Sequence, residues 1–567
     1  MAARRLERPL HPEAGVGRPV TVRWDGRAIE AHEGEPLAVS LLAAGETAIS
    51  RSFRFHRPRG LMCATGSCGW CECEVDGLPS VRSCRVPARQ GLEARGEHAW
   101  PSVGGDLLGV LDRANRLVTP GFYHHRFLRP ARFRKAYLDV IRAFGGRGRM
   151  RPGSRPARSG AGVETLVEAD VVVVGAGRSG LTAALAATAA GARVVVVETQ
   201  GEPGGSRCWA TAPDGTGATA RALAAEASSR LGEGLMLGWS AVAREGDLLH
   251  LVGAGGLATV RTPVVIAATG THERPPLVPG GERPGVMGAR TVERLIERWG
   301  VLPGERAALV GDDASTAAAG LLLERVGATI VVRIPEASLA CIDGRAHAER
   351  VHWTERGERR SAGVDLVVVG ARVPGLELPT LAGARLTWRG PALVPVVDGS
   401  GRTSVPWLFI VGSAAGLASD DAATRLASMA AGSAAATAAR TGTVGIAETA
   451  GVGGGPVAVA VTGGDGPVTS SGRGGARPPL DAHVCYCEDV RVRDVVRERR
   501  AGYVEAETLK RRTGALTGPC QGKYCMDRFL ALCGPTPEAG PGFVLPTARP
   551  PMRPVRLADL AGQGDEG

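Results

Sequence analysis

Two kinds of apolar pattern alternate along the chain. Near the N-terminus, VTVRW (20–24) alternates apolar and polar positions, Asp25-Gly26 supplies a turn needing positive φ, and RAIEAH (27–32) returns. That pattern predicts a β-hairpin with one buried face. A short amphipathic helix over PLAVSLLAAG, ending at Gly45, comes next. A Cys-rich loop leads into the strand CECEV, a second turn at Asp76-Gly77 and another strand. From residue 169 the pattern changes to ADVVVVGAGRSGLTAALAATAAGARVVVVE. Its unbroken Val runs around a Gly-rich turn and an Ala-rich stretch predict a parallel βαβ unit buried on both faces. A second such unit starts at 306, and DLVVVGAR (365–372) and WLFIVGSAAG (407–416) give two further strands. The last of these leads into a helix of small residues over 424–440.

Between these patterns, composition marks the joints. Residues 106–165 read as a helical connector that turns Arg/Gly/Pro-rich after 144, and 446–480 as a flexible linker, because a Gly/Pro/Ser-rich stretch cannot bury a core. The expected segments are therefore 17–105, 106–165, 166–280 with 390–445, 281–389, 446–480, 481–535 and a tail over 536–567.

With 567 residues, 44% hydrophobic and 22% charged, the chain reads as several soluble globular domains. The net charge of +11 does not point to nucleic acid: Lys occurs only at 135, 510 and 523, and the Arg residues are spread without aromatic interleaving. The N-terminus lacks the apolar core of a signal peptide, and no apolar run of about 18 residues could span a bilayer. A cytoplasmic protein is expected, with reduced thiols. Twelve Cys are then not a disulfide framework, and eight of them fall into two sets of four.

The first set is Cys63, Cys68, Cys71 and Cys84, a Cx4Cx2C loop with the fourth Cys twelve intervening residues on. This is the plant-type [2Fe-2S] spacing, in which one tight loop wraps three thiolates around the cluster and a neighbouring segment brings the fourth. Gly66 and Gly69 allow the left-handed turns such a loop requires. Cys73 reads as a packing residue. The second set is Cys485, Cys487, Cys520 and Cys525, with two short helices around a Gly between the pairs. From spacing alone this set suits a [2Fe-2S] cluster or a structural zinc equally.

Gly175, Gly177 and Gly180 form a GxGxxG after a strand and at the opening of a helix, with Glu198 ending the next strand. That is a dinucleotide site: the glycines let a pyrophosphate approach the helix N-terminus, and the acid accepts from a ribose hydroxyl. Gly204-Gly205 after the acid, Thr269-Gly270 after VVIAA, and Gly412 in WLFIVGSAAG resemble the FAD-contacting segments of two-dinucleotide flavoproteins. Ser413 stands where many such proteins carry Asp. In the second βαβ unit the turn is Gly311-Asp312-Asp313-Ala314-Ser315-Thr316, lacking the second and third glycines. Carboxylates would meet a phosphate there, so this lobe reads as structural, with NAD(P) binding doubtful. Cys208, Cys341 and Cys533 read as buried structural thiols, and His56, His124 and His125 as packing or surface residues. No residue presents itself as a catalytic acid, base or nucleophile.

RSFRFHRPRGLMC (51–63), GFYHHRF (121–127), ATGTHERPPLVPGGERPGVM (268–287) and LKRRTGALTGPCQGKYC (509–525) together resemble the alpha subunit of heteromeric sarcosine oxidase. Subunits of opine oxidases, proline and hydroxyproline dehydrogenases and hydrogen cyanide synthase share the pattern, over roughly residues 17–535. The resemblance implies an α/β fold: a two-dinucleotide-binding, Rossmann-like flavoprotein core flanked by an N-terminal β-grasp ferredoxin domain and a small C-terminal helical domain. That last domain resembles bacterioferritin-associated ferredoxin, which assigns Cys485, Cys487, Cys520 and Cys525 to a second [2Fe-2S] cluster. The longer spacing of the last pair matches the opine oxidase and cyanide synthase relatives. The sarcosine oxidase alpha chain lacks the four N-terminal cysteines present here. It also continues into a folate-linked domain where this sequence stops near 567, so tetrahydrofolate chemistry is not expected.

The function implied is electron transfer. A separate beta-type FAD subunit would oxidise an amine or amino acid, and this chain would relay the electrons to an acceptor through FAD and two clusters. The alternatives are an NAD(P)H-dependent reductase feeding the clusters and a zinc-stabilised flavoprotein scaffold.

Overall fold

The computed structural model describes residues 3–7, 9–11, 14–112, 133–136, 139, 165–211, 216–253, 256–417, 419–443, 458–459, 478–534 and 543–555. The chain forms two compact units: Met1–Ser154 with Glu273–Arg372 and Val468–Gly534, and Arg155–His272 with Val373–Pro467 and Pro535–Gly567. The unit boundaries near 272 and 372 differ from the segment boundaries of 280 and 389 read from the sequence. Much of the expected connector over 106–165, with GFYHHRF, His124 and His125, lies outside the described residues, as do most of the linker and tail. Within the expected linker, Ala458–Val459 pairs as a strand with Phe543–Val544.

The first unit opens with a mixed five-stranded sheet in the order Arg27–His32, Pro19–Trp24, Glu93–Gly96, Glu72–Val75, Leu78–Arg82. Asp25 (φ 46°) and Gly26 (φ 84°) close the first hairpin and Asp76 (φ 49°) and Gly77 (φ 79°) the second, so both Asp-Gly pairs adopt the left-handed conformation that two-residue hairpin turns demand. The helix Leu37–Ala43 buries Leu37, Val39, Leu41 and Leu42. Those side chains share one core with the inward residues Val20, Val22 and Trp24, and with Val292, Leu295 and Ile296 of the helix Ala289–Glu297.

That helix belongs to a nicotinamide-domain-like lobe. Its parallel sheet runs Val286–Gly288, Leu366–Val369, Arg306–Val310, Thr329–Ile334, and the helix Ala314–Arg325 makes the crossover. An antiparallel sheet, Leu339–Asp343, Arg350–Glu355 and Glu358–Gly363, is added to it. The rest of the unit is a small domain: a hairpin (His483–Cys485 with Val490–Arg491) and the helices Val492–Arg500, Ala506–Thr513 and Met526–Cys533.

The second unit is built on a parallel sheet in the order Leu235–Leu237, Val194–Glu198, Val171–Val174, Val264–Ala267, Leu408–Ile410. The Val runs are buried on both faces, which is why they show no alternation. The helices Arg178–Ala189 and Asp420–Thr443 cover one face through Ala side chains. A second sheet (Ser240–Glu245, Leu248–Gly253, Gly256–Arg261, Thr165–Glu168) packs on the other. No described helix is long and apolar enough to cross a membrane.

Candidate redox centres

In the second unit, the sequence-predicted dinucleotide residues converge at the C-terminal ends of the parallel strands. Gly175, at φ 111°, lies so close to the next strand that a Cβ would sit 2.4 Å from Ala268 O. A Cβ on Gly180 would meet Gly175 O at 1.9 Å, so only glycine lets the helix start this close to the turn. Gly177 bridges Gly204, and a Cβ on Gly205 would meet Gly177 Cα at 2.8 Å. Glu198 accepts from the main-chain N–H of Ala176 at 2.8 Å and of Gln200 at 2.7 Å. The carboxylate thus braces the Gly-rich turn and is oriented by it. Thr269 donates to Gly375 O at 3.0 Å, which holds the turn at Gly270. Gly412 (φ 70°) faces Ser179, and Ser413 lies in van der Waals reach of Gly270. The outcome is a cradle of backbone at a helix N-terminus, where an anion is favoured.

The corresponding cradle in the nicotinamide-like lobe is filled. Asp313 caps its helix, accepting from Ser315 N at 2.9 Å, Thr316 N at 3.2 Å and Thr316 Oγ1 at 2.8 Å. Those hydrogen bonds hold its carboxyl below the ordinary range against the cost of burial. The carboxylate occupies the place where a pyrophosphate would take the same amides.

In the first unit, all four N-terminal cysteines are buried at 5% exposure or less. Thiol hydrogen bonds link Cys63 to Cys68 and Cys84, and Cys84 to Cys71. Hydrogen bonding with Cys68 and Cys84 holds Cys63 well below the usual thiol range against the cost of burial. Gly66 (φ 78°), Gly69 (φ 75°) and Ala64 (φ 48°) bend the loop, and Arg82 donates to Gly66 O. The C-terminal set is gathered likewise: Cys520 is linked to Cys487 and Cys525, and Cys525 to Cys485. Gly518 is required there, because a Cβ would lie 2.2 Å from Cys487 Cβ.

Zinc and a binuclear cluster ask for different sulphur spacings. Around one zinc, thiolates at about 2.3 Å from the metal stand about 3.8 Å from each other. Among the described residues, the group of three thiol, imidazole or carboxylate donors all within 4.8 Å of one another is Cys341, Asp343 and His352; neither cysteine set supplies one. Within each set the thiols run as a chain of near neighbours and not as a closed triad. The Cys341 group carries no comparable case. Asp343 and His352 already pair at 2.9 Å, and Arg359 and Arg283 act on the thiol. Cys341 is also half-buried on an edge strand rather than buried as expected, because its sheet has one solvated face. Cys73, Cys208 and Cys533 are buried, Cys208 beneath Gly204.

Three aromatic residues around the cysteines were not singled out from sequence: Trp70, Tyr486 and Tyr524. Each directly adjoins a candidate ligand in a chain with only 4% aromatics, and that adjacency was the available signal. Arg59, Glu282 and Asp489, buried charges that tie the domains of this unit together, carry no local signal at all.

Comparison with known proteins follows this division of the chain. Residues 17–99 match a 2Fe-2S iron-sulfur cluster binding domain, 169–312 a pyridine nucleotide-disulphide oxidoreductase domain, and 481–563 a sarcosine oxidase A3 domain. The sarcosine oxidase alpha chain of Rhizobium meliloti (strain 1021) is 29% identical over 599 residues, covering 96% of this chain and 58% of that protein. The chain is a homologue of sarcosine oxidase alpha subunits. It is also similar to an opine oxidase subunit of Agrobacterium tumefaciens (strain Ach5), 27% identical over 69% of this chain and 91% of that one. It spans little more than half the length of the sarcosine oxidase chains. The crystal structure of L-proline dehydrogenase from P. horikoshii superposes with a TM-score of 0.69 at 22% identity, over 98% of this chain and 99% of that one. The fold class read from the sequence is thus the one found: a Rossmann-like oxidoreductase core with an N-terminal 2Fe-2S domain.

Proposed function

We propose that this chain is the electron-transfer subunit of a heteromeric amine or amino-acid dehydrogenase or oxidase. FAD would lie in the cradle of Gly175, Gly177, Gly180, Glu198, Gly204, Gly205, Thr269, Gly270 and Gly412. Cys63, Cys68, Cys71 and Cys84 would hold one [2Fe-2S] cluster, and Cys485, Cys487, Cys520 and Cys525 a second. The observation that carries this reading is the gathering of two four-thiol sets, with seven of the eight thiols buried and Cys487 half-buried. FAD accepts electrons in pairs and releases them singly, which suits it to feed one-electron centres. The protein's part would be to bind and orient: backbone amides would receive the pyrophosphate, Glu198 would accept from a ribose hydroxyl, and buried loops shield seven of the eight sulphurs from water.

A beta-type FAD subunit would carry the amine pocket, as expected for a homologue of sarcosine and opine oxidase subunits. Supporting this over a self-contained NAD(P)H reductase is Asp313, whose carboxylate fills the second phosphate cradle. Anaerobic co-purification with the product of the adjacent gene tests the reading, using dye reduction with sarcosine, proline, hydroxyproline and opines. The expected result is a stable complex that bleaches with one of these amines, while this chain alone is inert toward them. Failure of any partner to associate, with no amine reducing the flavin, would sink the proposal.

A further inference from the structure

The two cysteine sets lie far apart in sequence but meet in the first unit. Cys487 Sγ is 3.8 Å from the main-chain oxygen of Cys68, so a residue of one set touches the backbone of the other. The loops that carry them are pressed together. A Cβ on Gly69 would sit 3.1 Å from Pro519 Cγ, and Arg82 donates to Pro519 O at 3.1 Å. The aromatic neighbours of the cysteines close the seam. Trp70 packs edge-on against Tyr486 with ring centroids 5.3 Å apart, and Tyr524 is buried beside Cys63, Cys68 and Cys520.

Most of this contact is shielded from water: Cys63, Cys68, Trp70, Tyr486, Cys520 and Tyr524 are each at most 5% exposed, and Cys487 is half-buried at its edge. The arrangement is locked by charge. Arg59 reaches from the N-terminal domain to Asp489 at 2.7 Å and to Tyr486 O at 3.1 Å, while its guanidinium lies 5.6 Å from the Trp70 ring centroid. A seam so closely packed and so fixed screens charge less than bulk water does, so redox centres held in the two sets would each feel the oxidation state of the other.

We propose that the two cysteine sets work as one coupled redox pair, passing electrons directly across the Cys68–Cys487 contact. The proposal rests on reading both sets as [2Fe-2S] ligands. With a cluster held by each set, one transfer would move a single electron from the reduced centre to the oxidised one, with no bond formed or broken and no proton moved. The pair together would store two electrons, the number an amine oxidation delivers.

The test is EPR of the holoprotein reduced anaerobically with dithionite. The fully reduced protein should show split or broadened lines absent from the sum of the spectra of Cys71→Ser and Cys525→Ser, each of which retains one cluster. Independently of either variant folding, a redox titration of the unmodified protein should show the splitting grow with the doubly reduced fraction. About four irons per chain with unsplit, additive signals overturns the coupling and leaves the cluster reading intact. About two irons with zinc in the second set overturns that reading itself.

Discussion

Glu97 is buried beside the N-terminal hairpins, with one carboxylate oxygen accepting from Ser80 N–H at 2.8 Å. Burial pushes its pKa up to about 7 from an ordinary 4.5; Ser80 pulls the other way, and Glu72 and Glu74 add to the rise. The folded protein therefore keeps a proton that the unfolded chain has already released. Stability contributed by the neutral carboxyl is present below pH 4.5, falls as pH rises to about 7, and then levels. Each pH unit in that window is worth about 1.4 kcal/mol. Glu97→Gln should flatten this slope in denaturant titrations run between about pH 5 and about pH 8; an unchanged slope would assign the pH dependence elsewhere. The buried pair Arg59–Asp489, with side chains 4% and 0% exposed, makes a second residue-scale case. Asp489→Ala strands a guanidinium in a dry site and should cost about 3–5 kcal/mol. Accelerated limited proteolysis after residue 480 would register it. Neither residue was legible in the sequence. The partners of Asp489 are 430 residues away, and nothing in the local pattern of Glu97 foretells its burial.

Elements were far more legible, for reasons of period and turn chemistry. Alternation in Pro19–Trp24 and unbroken Val in Val171–Val174 each follow from how many faces the strand buries. Both Asp-Gly turns follow from the conformation they must adopt. Among the elements that escaped were the sheet over Ser240–Arg261, the hairpin Leu386–Arg389 with Ala392–Pro395, and the antiparallel sheet over Leu339–Gly363. Strands such as Glu358–Gly363 are exposed and charged, so they carry no apolar period. The helix read over 424–440 runs Asp420–Thr443, because its small residues hold no stop signal. The GxGxxG turn gives the element-scale prediction. Gly180→Ala places a Cβ 1.9 Å from Gly175 O, which the helix can relieve only by moving off the strand. The variant should purify with little flavin, by absorbance near the flavin bands, and with iron content unchanged. Full flavin retention would show that the cradle lies elsewhere.

For the whole molecule, the decisive question under the proposed function is where electrons would enter. Both Rossmann-like lobes have a helix N-terminus poised for a phosphate, but only one leaves it open. In the nicotinamide-like lobe, Asp313 takes the amides of Ser315 and Thr316 and lies against Gly370, where even a methyl group would be 1.7 Å from its carboxylate. A pyrophosphate would have to expel this cap, worth about 1 kcal/mol to the helix, and then sit beside Asp312 as well. Repulsion between like charges in a half-buried site makes that exchange unfavourable. NADH and NADPH should therefore leave the flavin of the isolated chain oxidised under anaerobic conditions, in a preparation that dithionite bleaches at once. If the proposed function holds, adding the beta-type partner with its amine should bleach the same flavin, and the cluster signals should follow. If nicotinamide alone bleaches it within the dead time of mixing, Asp313 yields its place readily. The electrons then enter through this chain, and the partner's role as donor is lost.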